Sequence, residues 1–382
     1  MKKFFALLAL VALMFSCTED SSPEPEPSQN PQPDQEQVKE PAKEEDTKQE
    51  VGHNTEPYFS ETVELMGLIF RLAGAEEYNE CRVNTIANSA DSYFASMKNH
   101  IAVQLAKECR RTGVSHDAVT GYANQLILKN DGQIIFDPNY LDGSNQSFDR
   151  WSNQQKTEML LYLNSFYQTS NFHEWFESTQ TEQQQAINAF KQVCNVDYEW
   201  FNSFFEKKED IASRIILSFM IGNHNNGISL SRKDGTFLLT PVIGSFSQIG
   251  NDIRYNGDVG TIIHEFSHPY CNPLIDAHWS SISDKATIVY NIVQKQMKDM
   301  AYGNAKTMMY ETLVRACNTR YLLSHGINMT EDSIIAYHER LGFILVRPVV
   351  EVLEKYEQEK EKYATLDDFM PEIIDVINNY DV

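Results

Sequence analysis

The sequence has few cysteines and no closely spaced pair of them. Six occur in 382 residues, and none forms a CxxC motif. That spacing is typical of structural zinc ribbons, so its absence argues against such a module. Apart from Cys17, the cysteines are an odd, widely separated set: Cys81, Cys109, Cys194, Cys271 and Cys317. We therefore expect no disulfide framework; one or two disulfides remain open, and the other cysteines are expected to be buried free thiols.

Basic residues and long apolar runs are also scarce. The chain has 32 Lys and Arg against 54 Asp and Glu, which gives a net charge of -22. Nucleic acids are bound through basic clusters, so we exclude nucleic acid as a partner. The apolar run 4–15 is too short to span a bilayer as a mature helix. No internal repeat is present.

Residues 1–17 have the pattern of an export signal. Lys2 and Lys3 form a basic start, and the apolar run 4–15 follows. The segment LMFSC, which ends at Cys17, resembles the cleavage box of bacterial lipoproteins, in which the cysteine becomes the lipidated first residue. The resemblance implies a lipid-bilayer anchor at Cys17 in the bacterial cell envelope. An ordinary signal peptide with an incidental cysteine is the alternative.

Residues 18–56 are rich in Pro, Glu and Gln and contain no aromatic residue. They include 12 acidic and three basic residues, and thus nine of the 22 net negative charges. Such a segment buries too little surface to offset its ordering entropy, which predicts a disordered acidic tether. Glu19 and Asp20 resemble the surface-export signals of some outer-membrane lipoproteins. They favour an outer-membrane location, facing either the periplasm or the cell surface.

Residues 57–382 are predicted to form one α+β domain that is mostly helical. Apolar residues at helical spacing predict helices in the N-terminal part, at 63–72, 92–107, 119–128, 151–167, 181–193 and 197–206. The same pattern predicts helices in the C-terminal part, at 284–301, 304–323, 331–344, 346–360 and 367–379. Between these parts the apolar pattern changes to a period of two.

That change predicts three strands, at 214–221, 228–231 and 236–246. Asn226-Gly227 and Asp234-Gly235 are strong hairpin signals and predict the two turns. The result is a small antiparallel meander that directly precedes the next helix. Pro241 suits an edge strand, because proline has no N–H for a ladder bond.

The segment after the predicted sheet contains the sequence HEFSH, from His264 to His268. On a helix, two histidines four residues apart project from one face and can bind a single Zn²⁺. Glu265 can then act on a water molecule at that ion. Apolar residues precede His264, as in a buried helix, and Asn256 or Asp258 is a suitable N-cap.

A catalytic zinc site needs a third protein ligand. The metzincin pattern HExxHxxGxxH is excluded, since Cys271 and Leu274 stand where glycine and histidine are required. The downstream candidates are Asp276, His278, Asp284 and Glu311. Glu311 is preferred because it is a polar residue among apolar neighbours on a predicted helix. An ion pair with Arg315 is the alternative interpretation of Glu311, and Asp276 or His278 remains open as the ligand.

Three segments together resemble a known pattern: VELMGLIFRLAG at 63–74, HEFSHPYCNP at 264–273 and ETLVRA at 311–316. With the lipobox and tether, they resemble an uncharacterised family of bacterial envelope lipoproteins with a gluzincin-like HExxH metallopeptidase domain. In gluzincins a glutamate on a second helix completes the site. The resemblance implies a zincin-like fold and a zinc ion held by His264, His268 and Glu311. Pro269 departs from it, because it predicts that the helix ends or kinks at His268.

The predicted function is zinc-dependent hydrolysis of peptide bonds in a peptide or protein substrate, with Glu265 as general base. An exposed edge within 236–246 could align the substrate. The candidates for the residue that stabilises the oxyanion are Tyr270, Tyr290, Tyr310 and His224, and the sequence does not choose among them. A surface lipoprotein that binds a peptide or glycan without cleaving it is the alternative. A cell-wall amidase is ranked last, since no wall-binding module is visible.

Overall fold

The computed structural model describes residues 56–141, 148, 150–205, 211–300, 302–326 and 329–381. The predicted export signal and nearly all of the predicted tether lie outside the described residues. Between Glu56 and Asp381 the chain is a mostly helical α+β protein, as predicted.

Fourteen α-helices occur in the described part of the chain. They are α1 (Glu61–Leu72), α2 (Asn84–Tyr93), α3 (Ile101–Arg111), α4 (Asp117–Ala123), α5 (Asn153–Ser170), α6 (Phe172–Ser178), α7 (Gln180–Val193), α8 (Tyr198–Phe205), α9 (Val259–Ile292), α10 (Gln294–Asp299), α11 (Ala305–Ser324), α12 (Glu331–Arg340), α13 (Val346–Gln358) and α14 (Leu366–Asn378). Short 3₁₀ helices occur at Glu76–Asn79 and Ala95–Asn99.

Nine strands in the described residues form one five-stranded sheet and two hairpins. They are β1 (Tyr58–Phe59), β2 (Leu126–Leu128), β3 (Ile134–Phe136), β4 (Ile211–Ser213), β5 (Ile216–Leu217), β6 (Asn225–Ser231), β7 (Phe237–Ile243), β8 (Phe246–Ile249) and β9 (Asp252–Tyr255). In the main sheet, β7 pairs antiparallel with β6 and parallel with both β4 and β5, while β1 pairs parallel with β5. The predicted antiparallel meander is therefore wrong: the sheet is mixed.

Only one of the two predicted turns is present. Asp234-Gly235 joins β6 to β7, with Gly235 at a φ of 91° and a bond from Arg232 N to Thr236 O. Asn226-Gly227 instead lies inside β6, because this strand pairs with β7 along its whole length. The local turn signal is overridden by that pairing.

Pro241 does not lie on an edge strand, because β7 is paired on both sides. The register pairs Ser213 with Leu239 and Ile216 with Val242, so the break between β4 and β5 falls opposite Pro241. Proline lacks the N–H that a continuous ladder would use there.

Two of the predicted helices are shorter in the structure than the sequence indicates. The segment 92–107 divides at His100, whose side chain accepts a hydrogen bond from Ala102 N and caps α3. In the segment 119–128, α4 ends at Ala123 and β2 begins at Leu126, because the chain turns back to pair with β3. Conversely, the first half of the segment 284–301 is the end of the long helix α9, and the short helix α10 follows it.

The helix α9 begins at its predicted cap, since the Asp258 side chain accepts a bond from Thr261 N. It continues through Pro269 and Pro273, so it does not end at His268. Tyr270, Cys271 and Ile275 are buried in the core on this stretch, and tertiary packing of this kind holds helices together against unfavourable local residues.

The five described cysteines are free, so the one or two disulfides left open by the sequence are not formed among them, and all but Cys81 are buried. Cys271 and Cys317 lie on the packed pair α9 and α11, with 3.8 Å between their sulfur atoms. Among the described residues, no helix is both long enough and apolar enough to cross a membrane.

Candidate metal centre

The packing of α9 against α11 brings together His264, His268 and Glu311, as the sequence predicted. Nε2 of His264 lies 3.3 Å from Nε2 of His268. The two Glu311 oxygens lie 3.4 Å from Nε2 of His264 and 3.6 Å from Nε2 of His268. The predicted helical spacing and the predicted third residue therefore meet at one point.

These distances suit a single ion. Ligand atoms about 2.0–2.2 Å from the centre of a tetrahedron lie about 3.3–3.6 Å from one another. Burial, followed by the neighbouring His268 and Arg315, lowers the pKa of His264 well below its usual range, so its ring is neutral and has a free lone pair. Among the described residues, the ligand atoms of His264, His268 and Glu311 are close enough together to hold one metal ion.

Neighbouring side chains orient the three residues. Nδ1 of His268 lies 3.3 Å from Oδ1 of Asn272, and because that oxygen can only accept, the contact leaves the lone pair on Nε2. Arg315 Nη2 donates to Glu311 Oε2 at 3.1 Å, so the ion pair considered as an alternative exists alongside the cluster. The Phe343 ring and the Tyr302 hydroxyl in turn hold the Arg315 guanidinium.

Glu265 projects from α9 towards β6. A Cβ atom placed on Gly227 would lie 1.8 Å from Glu265 Oε2, so only glycine leaves room for this carboxylate. A cavity of about 230 Å³, lined by Gly227, Ser229, Glu265 and His268 among others, opens here. Burial is the main cause that raises the pKa of Glu265, and the Glu311 charge adds to it.

A second cavity borders His264. It has a volume of about 470 Å³ and lies between α9, α11 and α12. Its polar wall includes His264, Arg315, Asn318 and His338. The ligand cluster thus borders two cavities, one at His264 and one at His268.

The other candidate ligands are engaged elsewhere. Asp276 contacts Tyr310 and Lys306. His278 Nε2 lies 2.8 Å from an Asp367 oxygen on α14. Asp284, a further four turns of helix along α9 from His268, is exposed and lies outside the cluster. Glu311 is therefore the residue that joins the two histidines.

The four residues considered for oxyanion stabilisation have other partners. Tyr270 is buried and stacks on Phe205. Tyr290 donates to the backbone oxygen of Tyr302, and Tyr310 contacts Asp276. The His224 ring packs on the His116 and Tyr78 rings, and burial lowers its pKa to about 4.

Several residues near the cluster could not be found from the sequence. Tyr302 contacts Arg315, and burial together with the Glu311 charge raises its pKa to about 12. Asn318 and His338 line the larger cavity. No local pattern distinguishes these residues, since each approaches the cluster only through the packing of helices.

The fold and the cluster define a mostly helical α+β protein with a His-His-Glu group on two packed helices. The chain belongs to the family described as "Domain of unknown function (DUF4932)", whose model matches residues 59–376. No significant match was found among curated proteins or among solved structures.

Proposed function

We propose that this protein is a zincin-like peptidase that hydrolyses peptide bonds with a zinc ion held by His264, His268 and Glu311. The observation that supports this most directly is the set of 3.3–3.6 Å separations among the two Nε2 atoms and the Glu311 oxygens. Bound zinc would supply a Lewis acid that polarises a carbonyl group and lowers the pKa of water to about 7.

Glu265 would act as the general base. Its carboxylate borders the 230 Å³ cavity together with His268, so a water molecule and a peptide could meet there. A base with a raised pKa takes a proton from water and then returns it to the leaving amine. Arg315 would hold the Glu311 carboxylate in position through the 3.1 Å bond. A protein that only binds peptide would not need Glu265.

The substrate would lie along β6 rather than along 236–246. The predicted exposed edge within 236–246 is wrong for β7, because this strand fills 237–243 and is paired on both sides. Gly227 and Ser229 of β6 line the cavity beside Glu265. An extended peptide could add to this strand through main-chain hydrogen bonds.

The cellular setting that we propose follows from the N-terminal sequence. Acylation of Cys17 would anchor the protein to a bilayer of the bacterial envelope, in the outer membrane. The acidic segment 18–56 would connect the anchor to the peptidase domain.

Metal analysis and peptide digestion test the proposal together. Protein refolded with zinc should retain about one zinc per chain, and His264→Ala should lose most of it because two ligands bind weakly. His278→Ala is the matched control, since His278 lies on the same helix but contacts Asp367. The wild type should cleave members of a peptide library. Absence of zinc would refute the proposal, and zinc with peptide binding but no cleavage would favour the non-catalytic alternative.

A further inference from the structure

Three residues that line the larger cavity beside His264 each have a buried polar atom without a hydrogen-bond partner among the described residues. These atoms are Nε of Arg315, Oδ1 of Asn318 and Nδ1 of His338. Asn318 and His338 are each only 7% exposed. Buried polar groups are normally paired, so three such atoms around one 470 Å³ cavity indicate a ligand that pairs with them.

The cavity is a continuation of the ligand cluster. Arg315 and Asn318 lie four and seven residues after Glu311 on α11, and therefore on the same face of that helix. With a rise of about 1.5 Å per residue, they lie about 6 and 10 Å from Glu311 along the helix. His338 lines the same space from α12. A substrate at the cluster could thus extend one group into this space.

The orientation of Asn318 limits the chemistry of that group. Its Nδ2 donates to the backbone oxygen of Gly260 at 3.1 Å, so its Oδ1 is left as an acceptor. Arg315 Nε is a donor, and the Arg315 charge is already paired with Glu311. A carboxylate would place its own oxygen against Asn318 Oδ1. A carboxamide instead offers an oxygen to Arg315 and an N–H to Asn318.

We propose that this cavity binds a carboxamide side chain of the substrate, with glutamine next to the bond that is cleaved. This specificity rests on the peptide hydrolysis proposed above. Glutamine is favoured over asparagine because of the distance to be spanned. The polar groups of Arg315 and Asn318 lie one to two helical turns beyond Glu311, and the longer side chain of glutamine reaches them better. The remaining walls include Leu322 and Ile334, which suit the methylene groups of that side chain.

Three quenched fluorescent peptides that differ only in Gln, Glu or Met beside the scissile bond test this specificity. The Gln peptide should have a kcat/KM at least about tenfold above both others, because a site that hydrogen-bonds a group rejects analogues without it. Asn318→Leu should reduce this preference to below about threefold, and His338→Phe provides a second variant. Asn378→Leu is the matched control, since Asn378 Nδ2 donates to Ser281 O of the same helix α9.

Binding separates a failure of this specificity from a failure of hydrolysis. The same three peptides are titrated calorimetrically into the zinc-loaded Glu265→Gln protein. Tighter binding of the Gln peptide supports the carboxamide site. If the wild type then cleaves none of the peptides, the proposed hydrolysis is refuted but the carboxamide site is not. Equal affinities, or a preference for Glu or Met, would overturn the carboxamide assignment.

Discussion

Gly227 of β6 and Glu265 of α9 are so close that a single methyl group cannot fit between them. A Cβ atom at residue 227 would lie 1.8 Å from Oε2 of Glu265 and 2.8 Å from its Cδ atom. At this contact the main sheet meets α9, the helix of His264 and His268, through the carboxylate that we propose as the base. Steric space at Gly227 therefore determines where that carboxylate points.

Gly227→Ala should impair turnover while leaving the fold and the zinc in place. Glu265 ends in a flexible side chain that can swing away, so the cost falls on the position of the base rather than on stability. A displacement of about 1 Å can reduce a rate by about 10²-fold. Peptide hydrolysis, zinc content and the melting temperature are measured together. Gly303→Ala is the control, since a Cβ there meets nothing within 4 Å; normal turnover in Gly227→Ala would contradict the role of Glu265.

Two glutamates close to the cluster should respond differently to substitution. Glu265→Gln should retain zinc and lose about 10²–10⁴-fold in hydrolysis, because a general base supplies that factor. Glu311→Ala should lose zinc, because it removes a ligand. Elemental analysis of both proteins after dialysis distinguishes the two roles. Retention of zinc by Glu311→Ala would show that the assignment of this ligand is wrong.

The buried Glu64 should make stability depend on pH. Its carboxylate accepts bonds from Phe219 N and Met220 N, but burial dominates and raises its pKa from 4.5 to about 7. Between these values the folded chain holds a proton that the unfolded chain has lost, so stability falls as pH rises through this window. The loss is about 3 kcal/mol for this one group. Urea unfolding at pH 5 and pH 8 should show it in the wild type and not in Glu64→Gln; parallel pH profiles would contradict it.

Lipidation of Cys17 is expected if the N-terminus is a lipoprotein signal. Cells grown with a labelled fatty acid should yield labelled wild-type protein in the membrane fraction. Cys17→Ala should abolish the label and change the fractionation. Cys81→Ala, which alters a half-buried thiol of the folded domain, serves as the control. A labelled Cys17→Ala protein would refute the lipid anchor.

The parts of the site that depend on local spacing could be predicted from the sequence. His264 and His268 are four residues apart, and residues at this spacing lie on one face of a helix. The Asp258 side chain caps that helix by accepting a hydrogen bond from Thr261 N. Glu311 is distinguished in the sequence as an acidic residue in an apolar helix, and the gluzincin resemblance implies the same residue. The cluster is therefore predicted by helix geometry, by the cost of burying a charge and by that resemblance.

The parts that depend on long-range pairing could not be predicted. The parallel contacts of β1 with β5 and of β4 with β7 join distant or separated segments, and no local pattern indicates them. Gly227 shows the difficulty most clearly, because Asn-Gly is a good hairpin turn and here lies within a strand. Its glycine is needed for the approach of Glu265, which only tertiary structure reveals.

The length of α9 links the ligand pair to the far end of the protein. Its 34 residues extend about 50 Å, and the second half is bound to the C-terminal segment. Lys285 Nζ donates to Tyr380 O, and Asn378 Nδ2 donates to Ser281 O. A chain shortened before Leu366 would remove both of these bonds from the second half of α9, while the packing on α11 that holds the two imidazoles would remain.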